Sequence, residues 1–198
     1  VRPKRLLGAF VAAPVAAAVI GLLLAGCTET PDLGASTQGY ISGSGVYKEI
    51  LPADRKKPLS FTAKLDTGGT VSSAALLGKV HVLNFWYAGC VPCNSEASRL
   101  ESSYNKYKSQ VGFLGVNTYD QAPTSLTFEQ THGVTYPSAI DANTASVQFA
   151  FSSYIPPSAV PTTLVLDREG RVAARVTGEI ESTDILNSLI KTVLAEGK

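Results

Sequence analysis

Cys90 and Cys93, separated by two residues, are the side chains in this sequence best suited to chemistry. They follow an apolar run, Leu83-Asn84-Phe85-Trp86-Tyr87-Ala88, which breaks at Gly89. From Asn94 to Tyr107 the pattern predicts a helix. A thiol placed where a strand gives way to a helix sits at the positive end of the helix dipole, which favours thiolate over thiol. Cys93, one turn further on, can reach and resolve a mixed disulfide formed on Cys90. Pro92 falls in the first helical turn, where its missing N–H costs nothing. Val91 and Pro92 bring no charge to the thiolate, which points to a less oxidising pair than a motif containing histidine. The competing use of such a pair is metal binding. Zinc needs four ligands, there is no second Cys-x-x-Cys, and neither His81 nor His132 has ligand spacing to the pair. Thiol–disulfide exchange, with no metal and no cofactor beyond a Cys90–Cys93 disulfide, is the expected chemistry.

The elements that would position the pair can be read in chain order. Ser60–Leu65 alternates polar and apolar, Asp66-Thr67-Gly68-Gly69 turns, and Thr70–Ser72 resumes, which predicts a hairpin. Val80–Tyr87 is the central strand leading to the cysteines, and Val111–Asn117 is a second buried strand. Pro123 opens a helix running to about His132, with Gly133 as its cap. A short strand near Ser138–Ile140 precedes a small helix from about Thr144 to Phe151. A strand over Thr163–Asp167 then turns at Arg168-Glu169-Gly170 into a returning strand, Arg171–Gly178. Ser182 or Thr183 caps a last helix, Asp184–Leu194, with Ile185, Leu186, Leu189, Ile190 and Val193 on one face. Parallel crossovers mixed with hairpins predict an α/β domain with a central mixed sheet and helices on both faces.

The N-terminus reads as a targeting segment. Val1-Arg2-Pro3-Lys4-Arg5 precedes an uncharged apolar run from Leu6 to Leu24, closed by Leu24-Ala25-Gly26-Cys27. That layout predicts a signal peptide over 1–26, a tether over 27–58 rich in Gly, Ser, Thr and Pro that can end in a short strand near Val46–Leu51, and a folded domain over 59–198. An uncleaved membrane anchor is the alternative reading of the apolar run. Both place the domain outside the cytoplasmic membrane. The formal net charge of +1 comes from 17 basic and 16 acidic residues. Setting aside Arg2, Lys4 and Arg5 leaves 14 basic against 16 acidic, so no basic block suggests a nucleic-acid partner. Cys90 and Cys93 are then the only thiols besides Cys27, too close together to staple a fold.

Asn84-Phe85-Trp86, Cys90-Val91-Pro92-Cys93 and Val160-Pro161-Thr162-Thr163 together resemble membrane-tethered thioredoxin-like proteins of the TlpA/ResA type. The resemblance spans roughly Leu59 to the C-terminus and implies a thioredoxin-like fold with an added N-terminal hairpin. Leu24–Cys27 resembles a lipobox, which implies lipidation of Cys27 and anchoring at the outer face of the membrane. The resemblance also implies that Cys90 is the attacking and more exposed thiol and that Pro161 is a cis-proline packed against the disulfide. Glu96 would stand beside the active-site cavity, where it can raise the thiol pKa values and shuttle protons, or else it is a solvated helix residue. Trp86 is a flank of the site, part of the core, or both. The expected function is reduction of cysteine pairs in exported proteins such as apocytochrome c, recharged by a membrane donor of the CcdA/DsbD type. Alternatives are a disulfide-forming oxidase, a non-catalytic lipoprotein, or a redoxin-type peroxidase; the last is disfavoured by Tyr87, where peroxidases of this fold carry Thr or Ser. Two departures stand out. Asn84 replaces the buried acid of plain thioredoxins, and Gly89 replaces a Trp, which should leave Cys90 more open.

Overall fold

The computed structural model describes residues 46–156 and 159–197. The signal peptide expected over 1–26 and Cys27 lie outside them, as does most of the expected tether. Among the described residues no helix is long and apolar enough to cross a membrane.

Among the described residues eight strands form one sheet: β1 (Val46–Glu49), β2 (Thr62–Leu65), β3 (Thr70–Ser72), β4 (Val80–Trp86), β5 (Val111–Asn117), β6 (Ser138–Ile140), β7 (Thr162–Leu166) and β8 (Val172–Thr177). Their spatial order is β1-β8-β7-β4-β5-β6-β2-β3. β4 pairs in parallel with β5, and β5 with β6, while β7, β8, β1 and the β2–β3 hairpin are antiparallel to their neighbours. Among the described residues the α-helices are α1 (Val91–Tyr107), α2 (Ala122–His132), α3 (Ser146–Ala150) and α4 (Thr183–Ala195).

Alternation along the central strands divides the core, since successive side chains point to opposite faces. Val80 and Val82 of β4 pack with Leu100 of α1 and with Leu186, Ile190 and Val193 of α4. Leu83 and Phe85 pack on the other face with Val147 of α3, Phe151, and Phe61 and Ala63 of the hairpin segment. All seven residues of β4 are buried, so the strand that delivers the cysteines is held on both faces. The fold is thioredoxin-like, as expected.

The short strand expected near Val46–Leu51, at the end of the stretch 27–58, is β1, and it belongs to the sheet. β1 pairs with β8, from Val46 opposite Thr177 to Glu49 opposite Ala174. Arg55 follows, its side chain only 2% exposed, donating to Asp167 at 3.0 Å and to Glu196 at 2.6 Å. β1 pairs with a strand distant in sequence, and Arg55 bridges to Asp167 and Glu196, so residues 46–55 pack with the domain expected from Leu59 onward.

Candidate active site

At the end of β4 the chain turns through Tyr87–Gly89 and begins α1 at once. Cys90 is the N-cap of α1, and its Sγ accepts from the Cys93 N–H at 3.2 Å. Cys90 and Cys93 form a disulfide, with Cα atoms 5.2 Å apart. Asn94 fastens the turn by donating to the carbonyls of Ala88 at 3.0 Å and Cys90 at 2.7 Å. A seventeen-residue helix thus starts on the sulfur pair, and its N-terminal dipole acts on Cys90.

Gly89 does not open the site. Cys90 is 4% exposed and Cys93 2%. The Tyr87 ring takes up the space beside Gly89, with its Cε2 3.4 Å from where a Cβ would lie. Trp86, Ala97 and Phe128 complete the cluster around the sulfurs, with Val160 packed against it. Trp86 is both flank and core: it is 4% exposed, and its ring centroid is 4.3 Å from that of Phe128. Gly115 makes this packing possible, because a Cβ there would lie 2.1 Å from Ser138 Oγ and 2.8 Å from Trp86 Nε1.

Pro161 is buried, and the Val160–Pro161 peptide bond is cis. Its carbonyl accepts from the Gly178 N–H at 2.9 Å. Pro92 stands in the first turn of α1, as expected.

Glu96 is a buried residue, not a solvated one: its exposure is 0%. Oε1 accepts from Asn84 Nδ2 at 2.8 Å and Oε2 from the Ile180 N–H at 2.8 Å. Asn84 also donates to Thr163 Oγ1 at 3.0 Å. Burial pushes the Glu96 carboxyl up to about 7, against the pull of these two donors and with a smaller push from Glu179. Asn84 and Cys93 line one cavity of about 10 Å³, room for about one water molecule, together with Trp86, Phe128, Tyr136 and Ser138. Asn84 therefore links the cavity beside the inner sulfur to a carboxyl group poised to take or give a proton near neutrality.

Several contributing residues carried no sequence signal. Asp120 accepts from the Ala88 N–H at 2.6 Å and from Asn117 Nδ2 at 3.1 Å, tying the loop after β5 to the cysteine turn. Ile180 and Gly178 act through backbone groups alone. Glu129, on α2, is held protonated more strongly than an ordinary carboxyl, chiefly by burial and then by Asp66. His81 has its Nδ1 3.1 Å from the Lys79 carbonyl oxygen, and the His132 ring stacks 4.2 Å from Phe128, so both are structural. Among the described residues no group of three or more His, Cys, Asp or Glu could hold a metal.

The cavity at the disulfide is too small for a metabolite. A wider groove of about 470 Å³ lies between Phe61, Leu76, Phe151 and Leu166, and it includes none of the site residues. Chemistry at this pair therefore acts on a sulfur presented from outside. A disulfide capping a helix on a mixed sheet, beside a cis-proline and a buried carboxyl, defines a thiol–disulfide oxidoreductase of thioredoxin-like fold.

The chain matches the AhpC/TSA family over residues 55–175 and belongs to it. It is 29% identical over 150 residues to the thiol-disulfide oxidoreductase ResA of Bacillus subtilis, covering 74% of this chain and 80% of the relative. It is 31% identical over 142 residues to ResA of Halalkalibacterium halodurans, covering 71% and 78%. Among solved structures, a DsbF homologue from Corynebacterium diphtheriae aligns with a TM-score of 0.67 at 27% identity, over 77% of this chain and 96% of that one. Within the family the protein is thus a thiol–disulfide oxidoreductase of the ResA type.

Proposed function

We propose that the protein is an extracytoplasmic, lipid-anchored reductase of cysteine pairs in exported proteins, apocytochrome c among them. In the reduced enzyme the Cys90 thiolate, at the N-terminus of α1, attacks one sulfur of a client disulfide and releases the other as a thiolate. Cys93, deprotonated with help from Glu96, attacks the Cys90 sulfur of the mixed disulfide. The client leaves with two thiols, and the enzyme keeps both oxidising equivalents as the Cys90–Cys93 disulfide. A membrane dithiol donor of the CcdA/DsbD type restores the reduced pair. Pro161 walls the disulfide and offers backbone to an extended client. Trp86 packs beneath the sulfurs, and Pro92 shapes the first turn of α1.

The observation that carries this reading is the fully buried Glu96 carboxyl, bonded to Asn84, which itself lines the Cys93 cavity; burial pushes that carboxyl up to about 7. A negative charge there disfavours the thiolates of the reduced pair, and a less stabilised reduced form is the better reductant. Location rests on the signal-like segment 1–26 and the lipobox ending at Cys27. Cys27→Ala should shift the protein from the membrane fraction to the soluble one.

Reduction of insulin by the wild type, compared with Cys90→Ser, tests the catalysis; equal rates would refute it. Cys93→Ser should accumulate mixed disulfides on Cys90, and mass spectrometry of the adducts names the clients. The reduction potential decides direction. A value below about −250 mV supports the reductase, whereas one near about −120 mV, in the range of strong oxidants, would make the protein a disulfide-forming oxidase.

A further inference from the structure

With Cys90 only 4% exposed, a client must locate the sulfur through the surface around it. The most exposed ring bordering the cysteine turn is Tyr119, 77% exposed on the loop between β5 and α2. Its ring centroid is 5.8 Å from that of Tyr87, with 52° between the planes. Tyr87 is half-buried and lies against Gly89, the residue immediately before Cys90, and Tyr119 packs on the Tyr87 ring. Val91, 75% exposed, continues the apolar surface just beyond Cys90.

The loop that presents Tyr119 is fastened in place. The Thr118 N–H donates to the Trp86 carbonyl at 2.9 Å. The N–H groups of Tyr119 and Asp120 donate to Asn117 Oδ1 at 3.1 and 2.7 Å. Asp120 Oδ2 in turn accepts from the Ala88 N–H at 2.6 Å. An exposed aromatic side chain on a loop bonded at both ends to the cysteine turn is preorganised, so little further ordering is lost on binding. Tyrosine suits this role, with a large contact area and only two side-chain torsions to fix. Phe149, an exposed ring away from the cysteine turn, sits on α3, whose Val147 packs into the cluster on the hairpin side of the core.

We infer that Tyr87 and Tyr119 form a paired-ring subsite for an aromatic or large aliphatic side chain adjacent to the client cysteine, and that the protein selects extended client segments by that side chain. The inference rests on the reading that Cys90 exchanges with protein cysteines, and it assigns that exchange a specificity.

The test uses the Cys93→Ser chain, in which exchange stops at the mixed disulfide whichever way electrons flow. Two peptides differ only in having Phe or Ser beside a single cysteine, which is carried as a disulfide with 2-nitro-5-thiobenzoate. Attack of Cys90 on the peptide sulfur forms the protein–peptide disulfide and expels the coloured thiolate, so the rate is read directly. The Phe peptide should react about three- to tenfold faster than the Ser peptide. Adding Tyr119→Ala should bring the ratio to near one, Tyr119→Phe should preserve it, and Phe149→Ser should leave it unchanged. A ratio near one with both tyrosines present, or one that survives Tyr119→Ala, overturns the subsite. If neither peptide releases colour while the Cys90 thiol titrates normally, the client-exchange reading itself falls, and the subsite with it.

Discussion

Replacing Glu96 by Gln should invert the usual expectation that losing an active-site carboxyl only weakens a protein. The group is fully buried, and burial lifts it from an ordinary 4.5 to about 7. A carboxyl whose folded value is raised stabilises the fold below the unfolded value, and that contribution is lost as pH climbs toward the folded value. Above about pH 7 the folded state must hold an ionised carboxylate that the unfolded chain ionises freely, at a cost of about 3 kcal/mol. Glutamine has no such cost at any pH. It gives up one of the two hydrogen bonds, to Asn84 or to the Ile180 N–H, worth about 1 kcal/mol, but that loss depends little on pH. Between pH 5 and pH 8 the stability difference should therefore move about 2 to 3 kcal/mol in favour of Glu96→Gln. Urea unfolding of both oxidised proteins at the two pH values measures this. Subtracting wild type from variant removes the parallel contribution of Glu129, whose carboxyl burial also raises. A difference that stays flat within about 0.5 kcal/mol would mean that Glu96 does not titrate in this range, and the proton-transfer role assigned to it would go as well.

Gly115→Ala forces a Cβ to within 2.1 Å of Ser138 Oγ and 2.8 Å of Trp86 Nε1. The overpacking should cost at least about 2 kcal/mol and shift the emission of the single tryptophan, with partial recovery in Gly115→Ala/Ser138→Gly. Asn84→Ala removes the donor shared by Glu96 and Thr163. It should cost about 2 kcal/mol in denaturant unfolding and slow insulin reduction. A chain trimmed to begin at Leu59 loses β1 and the Arg55 bridge to Asp167 and Glu196. Its Tm should fall by roughly 10 °C, from a loss of about 3 kcal/mol.

The disulfide site was legible in the sequence because its parts are local. A buried strand, a glycine break and a helix that starts on Cys90 are all written within one continuous run. The hairpin β2–β3, the strand β5 and the helix α4 were legible for the same reason, since their periodicity and turn residues lie inside the element. The cis bond at Pro161 came from family resemblance, and the structure contains it. What escaped depends on distant partners. Whether Glu96 is solvated or buried is decided by the loop carrying Gly178 and Ile180, which closes over it from the far end of the chain. The openness expected at Gly89 fails because the neighbouring Tyr87 ring folds back into the space, a rotamer choice that no spacing encodes. The short strand read near Val46–Leu51 is β1, but all four of its residues are exposed, and its partner β8 could not be named from so local a signal.

The direction of β1 has a consequence for how the molecule can be held. Val46 lies opposite Thr177, and Thr177 pairs with Thr162, the residue after Pro161. The chain therefore joins the sheet at the disulfide's own pole and runs away from it. The C-terminal end of α4 lies at the opposite pole, where Arg55 bridges Glu196 to Asp167 at the β7–β8 turn. A bead, tag or surface coupled just ahead of Val46 would crowd the sulfurs, whereas one coupled beyond Gly197 would leave them facing outward. Comparing exchange rates of the protein immobilised by each end would turn this polarity into a number.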